Sequence, residues 1–407
     1  FTAVSAAFGI AAAAPWTARA ALSTTRERIR IGVIGTGGRG RGLIQNLLKT
    51  KNCSVAALCD DYPAHLQQAM ALMPARVPGF ADHRAMLDAG GLDAVVIATP
   101  LHLHKGPTID AFDAGLHVWC EKSMARSIED CAAMVAKARQ SRRILQIGHQ
   151  RLFKPAYLDA LARVKAGEIG TITQVRASWH RNADWRREVP LNSGLERKLN
   201  WRLYRESSAG LMTELAAHQI QVANWFLDAV PQRVIGSGSL CFWKDGREVY
   251  DHVALIYEYD GGRKLIYSSL LNNRRYGCEE QIQGHQGTIE PELGQVYLEA
   301  PPTVPGLRQL TDDVRHGRVR SVPIGGPTWS PELPVTTPGQ ALRWGEYDET
   351  MLQFEAFAEA VKQGRPLPGL LREAYHASVA ALLGERAMDT GQPVLWPKQH
   401  LMPRTAA

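Results

Sequence analysis

The sequence predicts an α/β domain, built on a doubly wound parallel sheet, followed by an α+β domain. Three observations support this expectation. The 407 residues suffice for two domains of ordinary size. Short apolar runs alternate with helical segments over residues 29–148, which is typical of a parallel sheet. Strand-like runs then precede two helical runs, at about residues 349–363 and 372–390. We therefore divide the chain into residues 1–22, 23–148 and 149–407.

The composition indicates a globular protein. Hydrophobic residues make up 45% and charged residues 21%, which predicts a well-buried core. The net charge of +7 is modest, and no basic helix or alternation of aromatic residues with arginine is found, so we expect no nucleic-acid partner. The six cysteines form no CxxC pair, and no histidine lies at zinc-finger spacing from them. Buried thiols and no metal site are predicted.

The first 22 residues differ from the rest of the chain. Residues 1–14 are apolar, small and uncharged, and Thr17-Ala18-Arg19-Ala20 resembles the small-residue end of an export signal. The apolar run is too short to span a bilayer comfortably, so no membrane anchor is expected. A twin-arginine pair ahead of Phe1 would fit a protein that is exported folded, which predicts a periplasmic location. The alternative is a cytoplasmic protein whose N-terminal arm packs on a neighbouring subunit.

A glycine-rich loop follows the first apolar run, residues 29–34. The loop reads Gly35-Thr36-Gly37-Gly38-Arg39-Gly40 and matches the pattern GxGxxG. Gly35 permits a tight turn, Gly37 lets the backbone approach a pyrophosphate, and Gly40 lets helix and strand pack closely. The next helix, at about residues 41–49, directs its amides at the phosphates. This is the pattern of a Rossmann dinucleotide site.

The second apolar run, residues 55–59, ends at Asp60, twenty residues after Gly40. An acidic residue at this spacing accepts hydrogen bonds from the adenosine ribose. Together with Asp61 it would repel a 2′-phosphate, so NAD is predicted in preference to NADP. The alternative is that Asp60 caps the next helix.

Three further apolar runs, residues 92–98, 116–120 and 144–147, complete the predicted parallel sheet, and residues 128–139 form a helix capped by Ser127. Ligands of such sheets lie beyond the carboxyl ends of the strands. The polar or turn residues at these ends are Asp60, Thr99, Pro100, Glu121, Lys122 and His149. His104 falls near the nicotinamide end. Besides the glycine loop, the predicted cofactor-binding residues are Asp60, Thr99, Pro100, His104, Glu121 and Lys122.

Catalytic candidates follow from residue chemistry. Lys122 ends a buried strand, where it can donate a hydrogen bond to a substrate hydroxyl, although a salt bridge with Glu121 is an equal alternative. A helix predicted at about residues 208–226 carries Glu214 and His218 on an otherwise apolar stripe. Burying both groups is costly unless they serve each other or a site. His218 is suited to accept a proton from a hydroxyl, with Glu214 orienting it, and a mutually satisfied core pair is the alternative.

In combination, the glycine loop, Ala98-Thr99-Pro100, Glu121-Lys122 and the distant helix with His218 resemble the Gfo/Idh/MocA family (glucose–fructose oxidoreductase, inositol dehydrogenase and relatives). The resemblance implies a second domain with a large, open, mostly antiparallel sheet, often used for subunit contacts, and hence a homo-oligomer, dimer or tetramer. It also implies sugar or polyol substrates. The runs at 172–179, 233–242, 253–259 and 264–271, with a hairpin turn at 260–263, agree with such a sheet.

The resemblance carries over to particular residues. Lys122 matches the lysine of the family's Glu-Lys-Pro motif, which contacts the reacting hydroxyl, and His218 matches the histidine that is usually its acid/base. Ser123 replaces the usual proline, and Glu214 stands where relatives commonly have aspartate. The first departure affects the geometry of the peptide after Lys122. The second affects the reach of the carboxylate, which is one methylene longer in glutamate than in aspartate.

A polar and aromatic stretch precedes the predicted helix. It contains Trp185, Trp201, Arg202 and Tyr204, whose flat faces and donors suit a sugar ring, although a subunit interface would look similar. His149 and Arg151, just after the last strand of the first sheet, are also predicted to contact substrate.

The resulting hypothesis is NAD-dependent hydride transfer from a sugar or polyol carbon, with His218 removing the hydroxyl proton and Lys122 polarising the oxygen. One alternative is a redox-neutral glycosidase or epimerase that retains and recycles its NAD. Another is a non-catalytic NAD-binding regulator, against which the presence of both Lys122 and His218 argues.

Overall fold

The computed structural model describes residues 28–299, 313, 316–318, 339–343, 345 and 348–403. The predicted export signal at residues 1–22 lies outside the described residues.

The first domain is a six-stranded parallel sheet with strand order β3-β2-β1-β4-β5-β6. Its strands are β1 (Ile29–Ile34), β2 (Cys53–Cys59), β3 (Gly79–Phe80), β4 (Ala94–Ile97), β5 (His117–Cys120) and β6 (Leu145–Ile147). The helices between them are α1 (Gly38–Lys49), α2 (Pro63–Met70), α3 (His83–Asp88), α4 (Lys105–Asp113) and α5 (Ile128–Ser141). The strand order reverses between β1 and β4, which opens a crevice at the carboxyl ends of the strands.

Local sequence explains these elements. Strand β1 is almost wholly buried, as expected for a parallel strand covered on both faces, and Ile31 and Val33 are fully enclosed. Helix α5 begins at Ser127, whose hydroxyl accepts a hydrogen bond from the Asp130 amide at 3.1 Å. The predicted N-cap is therefore confirmed, and it satisfies one of the free amides of the first turn.

The second domain is built on a nine-stranded sheet with order β14-β13-β12-β11-β7-β10-β9-β8-β15. Its strands are β7 (Ile172–Trp179), β8 (Arg233–Ser239), β9 (His252–Glu258), β10 (Lys264–Leu270), β11 (Cys278–Gly284), β12 (Gly287–Glu290), β13 (Gln295–Leu298), β14 (Gln340–Ala341) and β15 (Val394–Leu395). Only β7 and β10 pair in parallel among the described strands of this sheet. A turn at Asp260–Gly262 joins β9 to β10, which confirms the predicted hairpin. The predicted fold class is confirmed.

Helices connect the two sheets. Helix α6 (Pro155–Lys165) precedes β7, and α7 (Glu196–Leu199) lies in the segment that follows it. The helix predicted at 208–226 consists of a π-helical turn, Met212–Ala216, that continues into α8 (Ala217–Leu227). Helix α10 (Leu370–Thr390) packs against α8, α5 and β8.

Helix α9 (Glu349–Gln363) returns to the first domain. Its Phe354 and Phe357 are fully buried in one apolar cluster with Ile31 of β1 and Leu43 of α1. This helix therefore packs with the first sheet, although the sequence-based division assigns it to residues 149–407. Within the described ranges, no helix combines the length and apolar character needed to cross a bilayer.

Candidate active site

A cleft of about 1650 Å³ lies at the carboxyl ends of the first sheet's strands. One wall comes from the first domain, with the glycine loop, Asp60, Thr99 and Lys122. The other comes from the second domain, with Trp179 at the end of β7 and His218 on α8. Because small-molecule pockets commonly measure about 300–1,000 Å³, this cleft has room for a dinucleotide and a second small molecule.

The glycine loop has the geometry that its sequence predicts. Gly35 has a φ of +88°, and a Cβ atom there would lie 2.6 Å from the backbone of Ala98 and Thr99. A Cβ on Gly40 would lie only 2.0 Å from the carbonyl oxygen of Gly35. Gly37 faces the cleft, where a Cβ would meet only the His65 ring, at 3.6 Å. Gly35 and Gly40 thus allow the tight turn, and Gly37 leaves space for a ligand.

Asp60 ties this loop to the end of β2. Its Oδ2 accepts hydrogen bonds from the Thr36 amide at 2.6 Å and the Thr36 hydroxyl at 3.1 Å, while Oδ1 accepts from the Tyr62 amide at 2.9 Å. Burial raises the pKa of Asp60, but hydrogen bonds from His65 and the two amides outweigh it, so the pKa is lowered. Asp60 is therefore a carboxylate that both supports the loop and lines the cleft.

Thr99 and Pro100 follow β4 and line the cleft, and the Thr99 hydroxyl is buried without a hydrogen-bond partner in the described structure. His104 is almost fully buried and also belongs to the lining of the cleft. Its Nε2 is 3.0 Å from the Thr99 carbonyl and its Nδ1 is 3.0 Å from the Ser123 carbonyl, so the ring holds the ends of β4 and β5 together. Burial lowers the pKa of His104.

Glu121 and Lys122 end strand β5 at the bottom of the cleft. Glu121 accepts a hydrogen bond from Arg39 Nε at 2.6 Å through one oxygen and from the Lys122 amide at 3.0 Å through the other. The Glu121 carboxylate therefore pairs with Arg39 and not with the Lys122 ammonium. The Lys122–Ser123 peptide bond is cis.

The Lys122 ammonium is held by the second domain. Nζ donates hydrogen bonds to the carbonyl oxygens of Glu214 at 2.7 Å and Thr213 at 3.1 Å. Both carbonyls belong to the π-helical turn, which leaves carbonyls open to outside donors because its hydrogen-bond pattern differs from that of an α-helix. Burial lowers the pKa of Lys122, and the nearby Glu214 and Glu121 carboxylates oppose that shift.

Glu214 differs from its predicted role. Its carboxylate accepts hydrogen bonds from Arg202 Nε at 2.8 Å and from the Ser208 hydroxyl at 3.2 Å, and not from His218. Burial raises the pKa of Glu214, but the Arg202 and Lys122 charges outweigh it and lower the pKa. The interpretation that Glu214 orients His218 is wrong, because the Glu214 carboxylate is bonded to Arg202 and Ser208 instead.

His218 faces the cleft from α8 and is 5% exposed. Its ring centroid lies 5.4 Å from that of Trp179 and 5.9 Å from that of His149. No hydrogen bond to this ring is formed within the described ranges, so its nitrogens are available to a ligand. Burial and the positive charges of Lys122 and Arg151 lower the pKa of His218 well below its usual value. The ring is therefore neutral at pH 7.

The predicted substrate residues separate into two groups. Trp185, Trp201 and Arg202 line the cleft, and the Arg202 guanidinium stacks 4.3 Å from the Trp201 ring centroid. The other three, His149, Arg151 and Tyr204, do not line it. The Tyr204 hydroxyl instead donates a hydrogen bond to Glu196 at 2.7 Å.

His149 and Arg151 lie behind the cleft, contrary to their predicted contact with substrate. Arg151 is 4% exposed and pairs with the buried Glu280 at 2.8 Å and with Glu292 at 3.2 Å. His149 is fully buried, and neither ring nitrogen has a hydrogen-bond partner in the described structure. Burial, with the Lys122 and Arg151 charges, lowers the pKa of His149 to about 3. Both residues form the polar floor beneath His218.

Several cleft residues were not among the predicted site residues, and three of them carry charge or a titratable ring close to the glycine loop or to Asp60 and Asp61. His65 of α2 lies 3.7 Å from Asp60, Lys198 lies 2.9 Å from Asp61, and Arg187 faces the glycine loop. The cluster of arginines and tryptophans over residues 180–204 was visible in the sequence, but nothing in it indicates which side chain reaches the first domain.

The residues of the cleft fit NAD. A flat glycine surface at Gly37 and the amino end of α1 suit a pyrophosphate, and Asp60 suits the adenosine ribose. The orphaned hydroxyl of Thr99 adds a buried polar atom that needs a partner. These features define a dinucleotide-binding oxidoreductase fold with its reactive side chains at the junction of two domains.

Comparison with known proteins identifies the family. Residues 29–149 match the oxidoreductase family described as having an NAD-binding Rossmann fold, and residues 157–290 match the Gfo/Idh/MocA C-terminal domain. Together these matches cover more than half of the chain. The chain belongs to the Gfo/Idh/MocA family of NAD-binding oxidoreductases, as the sequence motifs predicted.

Individual relatives agree with this assignment. Inositol 2-dehydrogenase 1 of Saccharopolyspora erythraea is 26% identical over 372 residues, which span 90% of this chain and 96% of the relative. Aldose–aldose oxidoreductase of Caulobacter crescentus superposes with a TM-score of 0.70 at 19% identity, covering 91% of this chain and 100% of that one. Scyllo-inositol dehydrogenase of Lactobacillus casei, solved with NAD(H) and scyllo-inositol, gives a TM-score of 0.66 at 20% identity, covering 90% and 99%. The solved structures establish the shared fold.

Proposed function

We propose that this protein oxidises a secondary hydroxyl group of a polyol or sugar with NAD as the oxidant. The observation that carries this proposal is that Lys122 of the first domain and His218 of the second face one cleft with the glycine loop. When bound, NAD supplies the oxidant for removal of hydrogen from a hydroxyl-bearing carbon. The inositol dehydrogenases among the relatives favour this reaction over redox-neutral glycoside cleavage.

His218 is the proposed proton acceptor. A base must be unprotonated before the reaction, and burial together with the Lys122 and Arg151 charges keeps the pKa of His218 well below its usual value. The ring makes no hydrogen bond within the described protein, so a ring nitrogen can accept the proton of a hydroxyl group in the cleft. The neighbouring Trp179 and His149 rings fix its position by edge and tilted contacts.

Lys122 is the proposed hydrogen-bond donor to the reacting oxygen. A lysine ammonium has three N–H donors, and two of them are satisfied by the Thr213 and Glu214 carbonyls. The third remains for the substrate oxygen, because Lys122 lines the cleft and Glu121 is occupied by Arg39. Two fixed hydrogen bonds leave the ammonium little freedom, so it meets the substrate already oriented.

The far wall of the cleft fits a polyol ring. Trp185 and Trp201 offer flat apolar faces for the C–H groups of such a ring, and Arg202 offers guanidinium donors for its hydroxyls. Arg202 is held from two sides, by the Glu214 carboxylate at 2.8 Å and by stacking on Trp201. A donor that is fixed before binding discriminates between hydroxyl orientations.

The open face of the second sheet supports a homo-oligomer, dimer or tetramer. Ile235, Ile256 and Ile266 are directly paired across β8, β9 and β10 and are only partly buried. The alternate positions on the other face of these strands are buried: Val234, Leu255, Tyr257, Leu265 and Tyr267. A continuous apolar row on a sheet surface suits the same row of a second copy.

We also propose that the protein is exported to the periplasm. The composition of residues 1–22 supports this proposal, and cell fractionation tests it directly.

The test of the proposed reaction is NADH formation with myo-inositol, scyllo-inositol and glucose, in the parent protein and in Lys122→Ala. We expect Lys122→Ala to lower turnover by about 10²–10³-fold, the usual cost of removing one fixed hydrogen-bond donor to a reacting oxygen, while NAD affinity changes little. Lys165→Ala, at an exposed position near the end of α6, is the matched control and should behave as the parent does. Undiminished turnover in Lys122→Ala would refute the assignment.

A further inference from the structure

The segment between β7 and the π-helical turn crosses from the second domain to the first. We call residues 180–204 the strap. At one point Lys198 Nζ lies 2.9 Å from the Asp61 carboxylate and donates a hydrogen bond to the Asp61 carbonyl at 3.2 Å. At another, the Arg187 guanidinium approaches the glycine loop, where a Cβ on Gly38 would lie 3.5 Å from Nη2. The strap thus meets the first domain at two residues that line the cleft, Asp61 and Gly38.

The backbone that carries Arg187 is rigidly held. Asn200 is 2% exposed, its side-chain oxygen accepts a hydrogen bond from the Arg187 amide at 2.6 Å, and its Nδ2 donates to the Arg187 carbonyl at 3.1 Å. Asn200 is fixed in turn by Glu196, which accepts from Nδ2 at 2.9 Å. Both ends of one residue are therefore clamped by one buried amide, and the guanidinium is directed at the loop from a fixed point.

The Arg187 guanidinium has no acidic partner among the described residues. The other two arginines near it are engaged, since Arg202 pairs with Glu214 and Arg41 donates to the Thr36 carbonyl at 3.1 Å. Burial lowers the pKa of Arg187, and the Arg202 and Arg41 charges lower it further. Arg187 is exposed to solvent, so an anion can reach it, and the Arg202 and Arg41 charges make this part of the cleft electropositive.

We propose that Arg187 binds the pyrophosphate of NAD from the side opposite the glycine loop, so that the strap closes the cofactor between the two domains. This inference rests on the NAD-binding function proposed above. The loop amides and the amino end of α1 contact one side of a pyrophosphate, and a guanidinium suits the other because it matches phosphate oxygens with two parallel N–H donors. The cofactor then leaves only when the strap lifts, which slows its exchange.

The experiment compares Arg187→Ala with the parent and with Arg139→Ala, an exposed arginine on α5 away from the cleft. Affinities for NAD and ADP-ribose are measured by calorimetry, and adenosine is measured by displacement of bound NADH. Because a hydrogen bond to a charged group contributes about 1.5–3 kcal/mol, we expect Arg187→Ala to weaken NAD and ADP-ribose by about tenfold or more. Adenosine, which lacks phosphate, should bind as in the parent, and Arg187→Lys should fall between the parent and Arg187→Ala.

The rate of NADH release gives a second readout, which should rise in Arg187→Ala and be unchanged in Arg139→Ala. Two results would overturn the inference: parent-like affinity for NAD in Arg187→Ala, or an equal loss of adenosine, which would mean that the adenosine site had collapsed. A parent protein that binds NAD but oxidises no polyol overturns the proposed substrate and leaves the strap in place. A parent that binds no dinucleotide overturns both.

Discussion

Two glycines of helix α1 offer a direct test of why the dinucleotide loop requires its sequence. A Cβ on Gly40 would lie 2.0 Å from the Gly35 carbonyl oxygen and 2.9 Å from its carbonyl carbon. A Cβ on Gly42, two residues along the same helix, would meet nothing within 4 Å. The variants Gly40→Ala and Gly42→Ala therefore add the same methyl group to one helix, once against backbone and once into open space.

The magnitude follows from these contacts. Replacing glycine by alanine within a helix stabilises it by about 0.5–1 kcal/mol, and this gain is common to both variants. Inserting a methyl group into a packed site costs about 1–3 kcal/mol. Backbone atoms cannot rotate away as a side chain can, so the cost at Gly40 belongs at the upper end. We expect Gly40→Ala to unfold with about 3 kcal/mol less free energy than Gly42→Ala.

Urea unfolding followed by fluorescence, with NAD titration in parallel, measures both consequences. Gly42→Ala should match or exceed the parent's stability and bind NAD as the parent does. Gly40→Ala should unfold at lower urea and bind NAD more weakly, because the added methyl group must displace the Gly35 carbonyl and so distort the glycine loop. Equal stability and equal NAD affinity in the two variants would refute the reasoning.

Two further predictions concern pH and assembly. Burial lowers the pKa of His376 to about 4, below the unfolded value near 6.5, so the folded state binds fewer protons in this range and stability falls as pH drops from about 6.5 to 4. His376→Gln keeps an acceptor for the Met402 amide. This variant should reduce the slope of unfolding free energy against pH by up to about 1.4 kcal/mol per pH unit. An unchanged slope would contradict the assignment of this pH dependence to His376. Ile256→Lys places a charge in the isoleucine row and should sediment as a smaller species than the parent while still binding NAD; an unchanged mass would exclude this face as the interface.

The first domain could be predicted almost completely from the sequence. Apolar runs, glycine spacing and polar residues at strand ends are local features, and a parallel sheet brings the carboxyl ends of its strands to one edge. Asp60, Thr99 and Lys122 therefore meet in one cleft, as their positions after the strands predict. His218 was predicted from its place on an apolar helical stripe together with the resemblance to the family's helix motif, and it lines the cleft.

Tertiary structure decided the partners of the charged groups. Arg151 and Glu280, more than a hundred residues apart, meet because β11 pairs with β7 beside the start of α6. The Glu214 carboxylate pairs with Arg202, twelve residues earlier in the chain, and not with His218.

The local sequence thus determined the glycine loop and which side chains at the strand ends line the cleft. Only the folded chain decided which groups hold those side chains, that α9 returns to the first sheet, and that the strap brings Arg187 over the glycine loop. The physical reason is that backbone conformation depends on neighbouring residues, whereas ion pairs and cleft walls depend on packing between distant elements. The spacing of residues along the chain does not reveal that packing.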